Sequence, residues 1–132
     1  MIAYFNGRLL REEDIRISPE DRGFLFADAL YEVIRSYQGR LFQAQAHWDR
    51  LGYGAKALRF NRTEFSELTD VAETLLHENG LTRGDATVYV QVTRGQARRS
   101  HDFPPPETPL TIYASARPFS PKGFAIDGVS VI

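Results

Sequence analysis

Cysteine is absent, which removes disulfide staples, thiolate metal sites and cysteine nucleophiles together and leaves the core to ordinary packing. A charge excess of either sign is missing too. The 16 Lys plus Arg residues face 17 Asp plus Glu, a formal net charge of −1, so no overall basic field draws the protein to nucleic acid or an anionic membrane. Any anion site must therefore be local. Nowhere do about 18 apolar residues follow one another, and the opening MIAYFNGRLLREED has no basic segment ahead of an apolar one, so a soluble, cytoplasmic protein is expected. Lysine is scarce. Lys56 lies beside Ala55 and Ala57 and Lys122 between Pro121 and Gly123, and neither setting desolvates an ammonium enough to make it a nucleophile at neutral pH. The phosphate loop GxxxxGK[ST], the GxGxxG fingerprint and the GxSxG elbow do not occur, so nucleotide binding and serine hydrolysis lose their usual supports.

The 132 residues, 42% of them hydrophobic, suffice for one compact core. Asn6-Gly7 supplies the positive φ angles of a two-residue turn and predicts a hairpin of residues 2–5 and 8–11. Gln38-Gly39 predicts a second hairpin, of residues 30–37 and 40–43. Trp48, Leu51, Ala55 and Leu58 fall on one face of a helix over about 44–58. Asn61, with Glu64 three positions on, is read as the cap of a second helix whose Phe65, Leu68, Ala72, Leu75 and Leu76 share a face, ended by Asn79-Gly80. The two helices are expected to pack as a pair. The clearest strand is 86–94, where Val88, Val90 and Val92 alternate with Tyr89, Gln91 and Thr93. Four prolines make 95–109 a loop, residues 110–114 form another strand, and 117–123 has the composition of a linker. The sum is an α+β fold, a largely antiparallel sheet with two packed helices.

Four potential cations, Arg94, Arg98, Arg99 and His101, crowd the loop TRGQARRSHDF. In an extended chain residues two apart point the same way, so Arg99 and His101 can converge on one small anion while Arg98 points elsewhere. A guanidinium grips a carboxylate with two parallel hydrogen bonds and imidazole adds another donor. The bland alternative is a solvated charged loop with Asp102 as local partner. Arg50 sits off the core face of its helix, with Gly54 one turn later leaving room for a ligand, although an exposed arginine paired with Asp49 or Glu64 is the commoner outcome. Tyr31, Val33, Arg35 and Tyr37 share a strand face that can offer a phenol and a cation to a cavity, or simply be a sheet surface covered by aromatics. His47 and His77 fall on separate helices without zinc-set spacing and read as structural.

The ordered segments AYFNGRLL, EDRGFLFADALYEV, HWDRL and VTRGQARRSHDFP resemble one family, the fold-type IV pyridoxal-phosphate enzymes (class IV aminotransferases), and within it the D-amino-acid transaminases. The likeness spans the whole chain and implies the small N-terminal domain of such an enzyme. It implies that Arg50 binds the phosphate of pyridoxal 5'-phosphate and that Tyr31 helps bind the substrate carboxylate. It further implies that Arg99 and His101 complete the carboxylate contacts across a homodimer interface. The intact enzyme is then expected to move an amino group from a D-amino acid such as D-alanine to a 2-oxo acid such as 2-oxoglutarate. Ala27 and Ala29 depart from the glycines that often flank the aspartate in the family. The Schiff-base lysine is expected beyond Ile132, so these residues alone should be inactive, with 1–116 the domain, 117–127 an interdomain linker and 128–132 the first strand of a second domain. Rival readings are a branched-chain aminotransferase or aminodeoxychorismate lyase of the same fold, or a non-catalytic binding domain.

Overall fold

The computed structural model describes residues 1–120. Asn6 and Gly7 take φ angles of 45° and 87°, joining β1 (Ile2–Phe5) to β2 (Arg8–Arg11) with Phe5 opposite Arg8. Gln38 and Gly39, at 50° and 79°, do the same for β3 (Ala29–Tyr37) and β4 (Arg40–Leu41). The strand expected over 40–43 is cut short because Gln43 turns left-handed, φ 55°, and feeds α2 (Ala44–Ala57). With β5 (Asp85–Thr93) and β6 (Thr111–Pro118), the strands form one antiparallel sheet in the order β2-β1-β6-β5-β3-β4.

The helices share one face of that sheet. Helix α2 lies on β3, and α3 (Leu68–Glu78) lies on β1, β5 and β6. Val88, Val90 and Val92 meet Ile34 from the sheet, Trp48, Leu51 and Ala55 from α2, and Leu68, Ala72, Leu75 and Leu76 from α3. Each large apolar side chain buried there contributes about 1.5–3 kcal/mol. The expected helix pair meets through the Trp48 indole, which donates to Thr69 Oγ1 at 2.8 Å.

Several elements depart from the sequence-based expectation. Asn61 caps no helix: its amide donates to the carbonyls of Pro106 and Thr108 at 2.6 and 2.7 Å, tying down the proline-rich loop. The helix starts at Leu68 behind Glu67, which makes no side-chain cap bond. A 3-10 turn (Glu12–Asp14) and a short helix, α1 (Arg22–Phe26), occupy stretches too brief to show periodicity. Asp21 caps α1 by accepting from the Gly23 amide at 2.8 Å, and Gly23 is needed because a Cβ there would lie 2.5 Å from the Thr93 methyl. Strand β6 continues past Ala114 because its pairing with β5 runs on to Ala86↔Pro118. The linker expected over 117–127 thus begins inside β6. Most of it, and the strand expected over 128–132, lies outside the described residues. Among those residues no helix is long and apolar enough to cross a membrane.

Candidate active site

Alternation along β3 sends Leu30, Glu32, Ile34 and Ser36 toward the helices and Tyr31, Val33 and Tyr37 outward. A carboxylate on the helix-facing side must be compensated, and α2 does so. His47 and Arg50, three apart and so on one helix face, both reach Glu32, which is 2% exposed. His47 Nδ1 lies 2.7 Å from Glu32 Oε2, Arg50 Nε donates to Oε1 at 2.6 Å, and Arg50 Nη2 donates to Oε2, a two-pronged grip. Burial pushes the Glu32 carboxyl up, but the hydrogen bonds and charges of Arg50 and His47 outweigh it and hold the group below its ordinary value. The same hydrogen bond, then the charge of Glu32, raises the pKa of Arg50. Arg50 is thus oriented from one side while 69% of its side chain faces solvent, a fixed cation with N–H groups left for an anion. These features suit a phosphate. Two expectations fail here: Arg50 pairs with neither Asp49 nor Glu64, and the space at Gly54 is taken by Leu30, whose Cδ2 would lie 3.0 Å from an added Cβ.

Beyond Arg35, whose carbonyl accepts from the Phe42 amide at 2.8 Å, the outer edge of β3 pairs with no other strand among the described residues. Tyr31 stands there on the sheet face away from the two helices, 66% exposed. Its ring lies 5.9 Å from that of Tyr89, which lies 6.3 Å from Tyr113, so aromatics step across β3, β5 and β6. Tyr89 donates to Gln91, which sits opposite both Tyr31 and Tyr113 in the sheet. Burial, above all, raises the pKa values of Tyr89 and Tyr113 and keeps their phenols protonated. A cavity of about 370 Å³ opens on this face between Tyr113, Thr93 and Phe24. None of Tyr31, Val33, Arg35 and Tyr37 lines it, and Arg35 is held by Asp85, so of the two readings of that strand face the aromatic-covered sheet surface is the one these side chains show.

The cation-rich loop divides by burial. Arg94 is 6% exposed and structural: it donates to Asp28 at 2.6 and 3.0 Å and to the carbonyls of Leu58 and Arg59, between the rings of Phe60 and Phe103. It is no anion receptor. Arg99 and His101 are exposed and flank one ring, Phe26, at 5.5 and 5.6 Å, while Arg98 lines a different cavity. Asp102 accepts from Ser100 rather than pairing with an arginine. Arg99 and His101 thus share one ring, while among the described residues no hydrogen bond, ion pair or ring contact joins them to Tyr31 or Arg50, or joins those two to each other. The sequence reading missed Glu32, Asp28 and Arg22, and took His47 as merely structural. The signal for Glu32 was its place in step with Ile34, and for its partners the spacing His47-x-x-Arg50.

The frame is an antiparallel sheet edged by two hairpins, with two helices on one face and a largely exposed arginine oriented by Glu32. The chain belongs to the amino-transferase class IV family, whose model matches residues 29–130. It is 39% identical over 119 residues to the D-alanine aminotransferase of Staphylococcus epidermidis, a match covering 89% of this chain and 41% of that protein. The D-alanine aminotransferase of Listeria monocytogenes is 38% identical over 137 residues, covering 99% and 46%. The chain therefore spans less than half the length of these relatives. Among solved structures, the Escherichia coli branched-chain amino acid aminotransferase matches with a TM-score of 0.80 at 24% identity, covering 89% of this chain and 40% of that one. The branched-chain aminotransferase of the archaeon Thermoproteus uzoniensis, solved with norvaline, matches at 0.77 and 22% identity, covering 91% and 41%. These two likenesses show the fold.

Proposed function

We propose that this chain is the N-terminal part of a pyridoxal-phosphate aminotransferase that, when intact, moves an amino group from a D-amino acid such as D-alanine to a 2-oxo acid such as 2-oxoglutarate. The observation that carries the reading is the pair Arg99 and His101, set on one aromatic ring with no acidic partner among the described residues, as a carboxylate receptor requires. The D-alanine aminotransferases among the relatives support the choice of the D-amino-acid branch.

In this reading Arg50, oriented by Glu32, holds the cofactor phosphate. Tyr31, with Arg99 and His101 across the interface of a homodimer, holds the substrate carboxylate. The bound cofactor supplies an electron-withdrawing ring that stabilises negative charge at the amino acid's α-carbon. These four side chains hold and orient rather than react. Lys56, the only lysine among the described residues, is exposed on α2 and offers no desolvated amine, and Lys122 lies in sequence between Pro121 and Gly123, so in this reading residues 1–132 alone are not active. Amino acids and 2-oxo acids are cytoplasmic metabolites in this scheme, and the enzyme works there.

A branched-chain aminotransferase of the same fold is the second reading. A panel of D- and L-amino acids offered to the full-length enzyme separates the two. Turnover of D-alanine with 2-oxoglutarate is the expected result; turnover of L-leucine or L-valine alone would replace the first reading by the second.

A further inference from the structure

No regular structure lies between β5 and β6, yet Arg99 and His101 of that loop both lie against one ring, that of Phe26. One buried residue grips the backbone that carries them. Arg22, at the start of α1 and 4% exposed, donates from Nη1 to the Ser100 carbonyl at 2.9 Å and the Asp102 carbonyl at 3.1 Å. Those carbonyls bracket His101 in sequence, and the first directly follows Arg99. The other edge of the guanidinium is fixed by Asp28, which accepts from Nε at 2.9 Å. A second route runs through Phe26, whose ring lies 4.8 Å from the Arg22 guanidinium and carries Arg99 and His101.

We propose that Arg22 is a positioning residue, holding the Ser100 and Asp102 carbonyls so that Arg99 and His101 meet a substrate carboxylate as a preset pair. This rests on the reading of that pair as a carboxylate receptor. The planar guanidinium serves a carboxylate on one edge and two carbonyls on the other, which the compact ammonium of a lysine cannot do at once. A loop ordered in advance keeps the cost of ordering out of the binding step. Asp28 does not depend on Arg22, because Arg94 donates to both of its oxygens, so replacing Arg22 leaves no unpaired buried carboxylate.

Calorimetric titration of the full-length enzyme with D-lactate, a carboxylate without an amino group to transfer, reads the receptor without turnover. Arg99→Ala should weaken D-lactate binding; if it does not, the receptor reading itself falls, and the inference with it. Arg22→Lys should weaken binding about tenfold, the scale of a lost charge-assisted hydrogen bond. In the Arg99→Ala background the same change should cost clearly less than in the parent, about threefold, because of the pair that Arg22 positions only His101 is left. Unchanged binding in Arg22→Lys while Arg99→Ala is weakened, or full additivity of the two, overturns the inference and leaves the receptor reading standing. Should the lysine variant fail to fold, Arg22→Gln carries the same comparison. Failure of both to fold marks Arg22 as structural and equally overturns the proposal.

Discussion

Glu32 occupies a place where carboxylates are rare, the helix-facing side of a strand, and what makes it tenable is the pair of donors on α2. Its lowered pKa carries a sign. A carboxyl held below its ordinary value of 4.5 stabilises the fold above that pH, and the contribution fades as pH falls through the lower folded value. Glu32→Gln should therefore cost about 1.5–3 kcal/mol at neutral pH, the range for hydrogen bonds to charged groups, and the gap to the parent should close as pH falls below 4.5. Urea unfolding of both proteins across that range checks it, and a gap that did not change with pH would break the link between stability and this ion pair. Asp28 obeys the same sign: burial raises its carboxyl, Arg94 and then Arg22 outweigh that, and the net shift is downward.

At the scale of elements, the end of α1 stores strain. Ala27 ends that helix at φ 54° and ψ 26°, the left-handed region, where its amide closes onto the carbonyls of Arg22 and Gly23. The sequence reading noted alanine where the resembled family often has glycine. The backbone takes the glycine-like conformation regardless, because Asp28 next in the chain is pinned by Arg22 and Arg94 and the turn has no freedom to relax. Ala27→Gly should relieve the strain and raise stability by about 0.5–1 kcal/mol, the left-handed penalty less the entropy that glycine adds to the unfolded chain. A thermal midpoint that fell in this variant would show the entropy to be the larger effect.

For the whole molecule, the layout separates two tasks. One face of the sheet is closed by helices and provides the core; the other is open, with Tyr31, Val33 and Tyr37 exposed along β3. The described residues supply exposed guanidinium groups but no amine in a desolvated setting. The purified 132-residue chain, supplied with pyridoxal phosphate, D-alanine and 2-oxoglutarate, is accordingly expected to form no pyruvate above the free-cofactor background. Formation of pyruvate by the chain alone would require an amine from within it and would overturn that assignment.

Both hairpins, both long helices and the β5 alternation were readable because each rests on local rules: turn residues with positive φ, period-two strands and period-3.6 helices. The same alternation placed Tyr31 on the open face, and the two-residue spacing picked Arg99 and His101 out of a loop of cations. Local rules did not reach the short α1, the idle cap at Asn61, or the choice among four cations of the one that is structural. Those outcomes depend on partners far along the chain: Asn61 finds Pro106 and Thr108, Arg94 finds Asp28 and Leu58, and Arg50 finds Glu32 rather than a nearby carboxylate. The sequence by itself determined the two hairpins, the two long helices, the alternation of the long strands and the family likeness. Tertiary structure alone decided which charges are buried and paired and which stay free, because the cost of burying a charge depends on what the fold brings beside it.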